Sequence, residues 1–317
     1  MTETGSCRVA IIGAGNMARE HARAFASVPG VALAGIHSRT RSRAESLAKE
    51  FGIAGVYDSV SELYERTRAN LVVVTVFETA MNSVSKTCFA FPWKILLEKP
   101  PGYYLEDALD IRSAALENHC TVFVGLNRRF FSSTRAALSD LATCEGARFV
   151  HVQDQQSLAQ ATSLGHPSEV VANWMYANSI HVIDYLRVFG RGNIQSVTPV
   201  LRWDPVNPQV VVAKVQFDSG DIGLYEGIWK GPGPWAVAVT TPGKRWELRP
   251  LEQGAYQLWG ERRLHAVEVD TWDRDFKPGF RLQAEAAAAA ALGQPSEIPS
   301  LDDAIETMRL VHAIFHQ

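Results

Sequence analysis

Arg8-Val9-Ala10-Ile11-Ile12-Gly13-Ala14-Gly15-Asn16-Met17-Ala18 sets an apolar strand against a glycine turn and the start of a helical pattern. A glycine at 13 permits a tight turn, one at 15 lets backbone amides approach a pyrophosphate, and Ala18 lets helix and sheet pack closely. The exposed amides at the helix start form an anion site. Gly13, Ala14, Gly15, Asn16 and Met17 are therefore read as dinucleotide-binding residues.

Working outward, strand-like runs at 31–36, 55–57, 71–76, 94–97 and 121–125 alternate with helical patterns at 17–27, 41–51, 59–66 and 105–118. Asp58-Ser59 and Ser61 supply N-cap chemistry for the third helix. Such alternation predicts a doubly wound parallel sheet with right-handed crossovers, an α/β domain over residues 1–125. After Gly125 the pattern changes. A helix is expected from Asn127 to about Leu141, a strand at 148–153, a polar loop over the active site at 157–172, and a strong helix at 174–189. Strand patterns at 194–203, 210–217, 221–229, 235–240, 245–250 and 255–259 follow, with hairpin turns at Asp218-Ser219-Gly220 and Pro242-Gly243. Helices at 280–292 and 302–316 close the chain. Residues 126–317 thus read as an α+β domain with a large, mainly antiparallel open-faced sheet and helices on one side. The alanine run 284–291 is a high-propensity helix with a small-residue face.

The 317 residues suffice for two domains with their own cores, and 46% hydrophobic with 21% charged residues is a soluble, globular composition. A net charge of −3 gives no basic face for nucleic acid. Cys7, Cys88, Cys120 and Cys144 form no Cys-x-x-Cys pair and are expected to be reduced thiols, with no metal site. No apolar run approaches the ~20 residues of a membrane span. The polar lead into the first strand has no signal-peptide pattern, so a cytoplasmic protein is expected.

The second strand ends in Ile36-His37-Ser38-Arg39, where an acid would accept from the ribose hydroxyls of NAD. Ser38 and Arg39 suit a 2′-phosphate instead, because guanidinium matches phosphate oxygens bidentately. NADP(H) is the expected preference and NAD(H) remains open, with Arg39 then stacking on adenine. Arg43 is a further candidate, although Arg41 and Arg43 also read as solvated helix charges; Thr75 and Val76, at the end of the fourth strand, join the cofactor set.

Glu98-Lys99-Pro100 follows Ile95-Leu96-Leu97 at the carboxyl end of a buried strand, where open α/β sheets bind ligands. A Glu-Lys pair there is costly to desolvate without a purpose. The Lys99 ammonium can polarise a carbonyl or exchange a proton with the oxygen of a reacting carbon.

The glycine turn, Val56-Tyr57-Asp58-Ser59, Glu98-Lys99-Pro100, Val124-Gly125-Leu126-Asn127-Arg128-Arg129-Phe130, Ser179-Ile180-His181-Val182-Ile183-Asp184 and Ser300-Leu301-Asp302-Asp303-Ala304 fall in order along the chain. In this the sequence resembles the Gfo/Idh/MocA oxidoreductases over nearly its whole length. The resemblance implies an N-terminal Rossmann domain and a C-terminal open-faced sheet that often builds an oligomer interface, here a homodimer or homotetramer. It also implies hydride transfer at a carbinol or carbonyl carbon, usually of a sugar or cyclitol, with Glu98 at the nicotinamide ribose.

His181, with Asp184 one turn on, is placed by this reading at the substrate oxygen as a second acid-base or hydrogen-bonding group, alongside Lys99. Asp184 reads as its structural partner more than as a participant, and is kept among the substrate-side residues. Many members of the family carry Asp four residues before this histidine; here the position is Ala177. Asn178 can bond a hydroxyl or carbonyl but cannot relay protons. A ready donor without a base suits ketone reduction of a sugar-like, including nucleotide-linked, substrate. The missing carboxylate leaves open a redox-neutral use of the cofactor in glycoside cleavage, or a non-catalytic nucleotide-sensing protein. Trp174, Tyr176 and Arg129 are substrate contacts or packing, and Lys277 can reach a substrate anion.

Overall fold

Apolar residues fill β1 (Cys7–Ile12) on both faces, as a central parallel strand requires. The structure, a computed structural model, describes residues 6–316. From β1 the chain runs through α1 (Asn16–Ala26), β2 (Val31–His37), α2 (Arg41–Phe51), β3 (Val56–Tyr57), α3 (Val60–Thr67), β4 (Leu71–Val74), α4 (Glu78–Cys88), β5 (Lys94–Glu98), α5 (Leu105–Glu117) and β6 (Val122–Gly125). A 3₁₀ turn (Asn127–Phe130) leads to α6 (Ser132–Leu141), β7 (Phe149–Gln155), α7 (Leu158–Ser163), α8 (Ser168–Ala172), a π-helical turn (Met175–Ser179) and α9 (Ile180–Phe189). Then come β8 (Ile194–Leu201), β9 (Val210–Phe217), β10 (Ile222–Ile228), β11 (Ala236–Thr240), β12 (Lys244–Leu248), β13 (Gly254–Leu258), β14 (His265–Val267), α10 (Thr271–Asp275), α11 (Phe280–Ala291) and α12 (Leu301–Phe315).

Two compact units result: the chain up to Asn127 together with Trp272–Ile305, and Arg128–Thr271 together with the segment from Glu306. The sequence reading drew a single cut at 125/126; in the structure residues 272–305 group with the first sheet. The first unit holds a six-stranded parallel sheet in the order β3-β2-β1-β4-β5-β6, and the order reverses between β1 and β4. That reversal opens a crevice at the carboxyl ends of these two strands. Ser59 caps α3 by accepting from the Glu62 amide, while the Glu62 carboxylate accepts from the Asp58 amide. On the last edge, the Val124 amide donates to the Pro299 carbonyl at 2.9 Å, fastening the returning segment to β6.

The second unit holds an eight-stranded sheet, β14-β13-β12-β11-β7-β10-β9-β8, antiparallel except for the β7–β10 pair. Val150, Val152, Val211, Ala213, Val215, Tyr225 and Val239 are buried on one face. On the other face His151 and Gln153 both bond the Glu226 carboxylate, all three half exposed.

Several expectations need correction. Residues 157–172 are not a loop: Ser157 accepts from the Gln160 amide and starts α7, and α8 follows. Helix 174–189 begins as the π turn, which inserts an extra residue before α9. Helix α4 escaped the sequence reading because its buried stripe, Met81, Ser85 and Cys88, includes a serine. The short β14 and α10 also went unread.

Candidate active site

Gly13 carries the strain of the β1–α1 turn, with φ +109°, and a Cβ there would lie 2.6 Å from Thr75 Oγ1 and closer still to the Thr75 carbonyl oxygen. Only glycine fits. Its amide donates to the His37 carbonyl at 2.8 Å, and the Thr75 amide donates to the Ile12 carbonyl at 2.8 Å, so the ends of β2, β1 and β4 are tied around the turn. At Gly15, by contrast, a Cβ would meet nothing within 4 Å. Helix α1 has no side-chain cap and no acidic residue in its first turn. Its leading amides, Asn16 and Met17 among them, form a cradle that fits the pyrophosphate of a dinucleotide.

Beside this cradle β2 ends at His37, whose Nδ1 lies 3.0 Å from the Tyr57 carbonyl. Ser38 is half buried and its hydroxyl accepts weakly from the Thr40 amide at 3.3 Å. Arg39 and Arg43 are exposed. Arg41 is engaged by Glu45 and Asp58, which leaves Arg39 as the guanidinium nearest the strand end. Ala14 and Val76 are half buried at the same edge of the sheet.

At the end of β5, Glu98 is 7% exposed. Its Oε1 lies 2.7 Å from Nε2 of buried His21 on α1, and its Oε2 accepts from the Lys99 amide at 3.2 Å. Burial works to raise the Glu98 carboxyl pKa; the bond from His21 and the charges of His21, Lys99 and Lys277 outweigh it and hold the pKa below the usual carboxylate range. Lys99 itself is half buried. Lys277, read from the sequence as a substrate contact, stands 3.5 Å from Met17 Sδ and 5.3 Å from the Phe280 ring centroid, next to the start of α1. Sequence reasoning missed His21 entirely.

In the second unit the π turn carries Tyr176, Ala177 and Asn178, and His181 follows, half buried, in the first turn of α9. Gln156, also missed, organises this segment. Its Oε1 accepts from Trp174 Nε1 at 2.9 Å and Asn178 Nδ2 at 2.8 Å, while its Nε2 donates to Asp154 Oδ1 at 2.6 Å. Asp154 is fully buried and also accepts from the Tyr225 hydroxyl at 2.8 Å. Burial pushes its carboxyl pKa up, against the bonds from Tyr225 and Gln156. The Tyr176 hydroxyl lies 3.1 Å from His312 Nδ1. Arg129 grips Asp184 with two bonds of 2.7 Å, and the Thr307 hydroxyl donates to the same carboxylate at 2.7 Å. Burial raises the Asp184 pKa, but Arg129 and Thr307 more than reverse it. Both residues are thereby structural partners of each other within the unit. Among the described residues no group of three or more His, Cys, Asp or Glu could hold a metal, and the cysteines are free. No described helix is long and apolar enough to cross a membrane.

A strained glycine turn at a topological switch point, with an uncapped helix start, defines a dinucleotide-binding domain. Residues 7–126 match the oxidoreductase family with an NAD-binding Rossmann fold, Gfo/Idh/MocA. The chain is also similar to glucose-6-phosphate 3-dehydrogenase of Bacillus subtilis, 30% identical over 128 residues. That match spans 39% of this chain and 35% of the relative. Among solved structures, a dehydrogenase from Chromobacterium violaceum superposes with a TM-score of 0.84 at 16% identity, covering 98% of this chain and 95% of that one. Levoglucosan dehydrogenase in complex with NADH gives 0.81 at 16% identity over 97% and 95%. Both likenesses establish the fold of the chain, in its second sheet as well as its first.

Proposed function

We propose that this chain is an NAD(P)(H)-dependent oxidoreductase that transfers hydride between the nicotinamide and a carbonyl or carbinol carbon of a sugar-like substrate. The observation that carries the reading is the pairing, in one sheet, of the Gly13 turn with an ionised Glu98 and Lys99 at the end of β5. The sugar dehydrogenases among its relatives support the substrate class. Amides of α1 from Asn16 onward would hold the pyrophosphate, with Ala14, Thr75 and Val76 lining the crevice. Ser38 and Arg39 would meet a 2′-phosphate, favouring NADP(H), with Arg43 nearby. A nicotinamide held there would supply the hydride chemistry.

Lys99 supplies the proton chemistry. In reduction its ammonium gives a proton to the carbonyl oxygen as hydride reaches the carbon; in oxidation its amine takes the hydroxyl proton. In this reading His181 is the second acid-base or hydrogen-bonding group, and Asn178, fixed by Gln156, is a hydrogen-bonding amide. Trp174 and Tyr176 shape the substrate side, with Arg129 and Asp184 bracing α9 behind them. The half-exposed face of the second sheet supports a homodimer or homotetramer.

A panel of sugars, keto-sugars and nucleotide-linked sugars, followed by reduced-nicotinamide absorbance with NADPH and NADH, tests this reading. Stoichiometric change in absorbance is expected. Turnover without net change in cofactor would point to the redox-neutral alternative, and tight cofactor binding with no turnover on any member would point to a sensor.

A further inference from the structure

We infer that His21 is a positioning residue for the cofactor: it clamps Glu98 from helix α1, so that the phosphate cradle and the Glu98-Lys99 pair form one rigid unit. The inference rests on the reading above that Glu98 faces the nicotinamide end of the dinucleotide.

His21 is 0% exposed, five residues into the helix whose first turn forms the cradle. Its ring packs against Phe280 at 4.9 Å and Phe25 at 6.2 Å between centroids, so it has no room to swing away from Glu98. Nε2 meets Glu98 Oε1 at 2.7 Å, whereas the buried Nδ1 has no hydrogen-bond partner. A proton on Nδ1 would be buried without an acceptor, so the geometry assigns the proton to Nε2 as a donor to Glu98. Oε2 is fixed separately by the Lys99 amide. Both oxygens are therefore oriented, one from α1 and one from the residue that carries the proposed acid-base group. The titratable groups facing Glu98 are His21 from α1, Lys99 from its own strand and Lys277 from the segment before α11.

Remove the imidazole and a buried carboxylate loses its main donor. Desolvation then dominates, its affinity for a proton rises, and protonation as pH falls removes the acceptor offered to a ribose hydroxyl. The test compares His21→Leu with His21→Gln, whose amide can donate from a similar reach, by tryptophan-fluorescence titration with NADPH and NADH. Wild type should bind with little pH dependence from about pH 8 to about pH 6, and His21→Leu should bind about ten-fold more weakly and lose further affinity as pH falls. His21→Gln should recover affinity to within about three-fold and restore the flat profile. Thermal unfolding of each variant checks the fold. If His21→Leu does not fold, His21→Gln carries the test alone, and a loss as large as that of Glu98→Gln overturns the inference. Equal affinities and profiles for wild type and His21→Leu overturn it too. Failure of the wild type to bind either dinucleotide overturns the proposed function along with it.

Discussion

Two glycines two residues apart should fail in opposite ways when each is replaced by alanine. Gly13 is held at φ +109° with its missing Cβ pointed at Thr75 backbone and side chain. A methyl there meets backbone, which cannot swing aside. Left-handed strain of about 1–3 kcal/mol adds to an overpacking cost of about 1–3 kcal/mol. Gly13→Ala should therefore lower stability by about 2–6 kcal/mol, enough to threaten the fold of the first unit. Gly15 has an ordinary φ of −94° and open space where a Cβ would go. As N-cap of α1 it should cost only about 0.5–1 kcal/mol to replace by alanine. That same open space is where the pyrophosphate would approach the backbone. Loss of one charged-group hydrogen bond, about 1.5–3 kcal/mol, corresponds to about a ten- to hundred-fold weaker dinucleotide.

Differential scanning calorimetry and fluorescence titration with NADPH and NADH separate these outcomes. The expected pattern is a near-native melt with weak binding for Gly15→Ala, and a strongly lowered melt for Gly13→Ala. A Gly15→Ala protein that binds both dinucleotides as wild type does would refute the placement of the pyrophosphate on α1. A Gly13→Ala protein with an unchanged melt would refute the clash with Thr75.

Lys99→Met should lower kcat by at least about a hundred-fold while leaving NADPH affinity and the melt intact, since general acid-base groups contribute about 10²–10⁴-fold; a mild loss removes Lys99 from the chemistry. Arg39→Ala should raise the KM for NADPH by about ten-fold or more and leave NADH little changed, because a single charged contact to a 2′-phosphate is at stake; equal effects on both cofactors defeat the assignment. Asp184→Asn should destabilise the second unit by about 3–5 kcal/mol at neutral pH by leaving Arg129 without its carboxylate. The folded pKa of Asp184 lies below its unfolded value, so its contribution is present above about pH 4 and is lost as pH falls further. Acid titrations of the melt should accordingly be steeper in wild type than in Asp184→Asn, and parallel curves would contradict the ion pair.

The parts of this fold that could be read from the chain are those whose physics is local. Gly13 needs its left-handed φ because of the turn it makes, Ser59 caps α3 three residues from Glu62, and β-strands announce themselves by composition. Lys99 was visible because it stands at the end of an unmistakable buried strand. His21 was not, since its partner Glu98 lies 77 residues away and a histidine inside a helix looks the same whether bonded or merely packed. The return of residues 272–305 to the first unit was hidden for a related reason. The alanine face of α11 shows that something packs closely, and nothing in its spacing says that α1 is the neighbour.

The absent carboxylate at 177 is the point where sequence and structure together say more than either. Ala177 is 3% exposed, inside the π turn, so an ionised side chain there would have to be desolvated and paired. The second unit instead keeps a buried carboxyl on β7, Asp154, held by the Gln156 amide and the Tyr225 hydroxyl and biased by burial toward its neutral form. Because Asp154 accepts from Gln156 Nε2, the Gln156 amide can present only its oxygen to Trp174 and Asn178. The orientation of Asn178 is thus set by a carboxyl two hydrogen bonds removed, through an amide that transmits geometry and no proton. What Asp154 contributes is the fixed direction of a neutral hydrogen-bonding group.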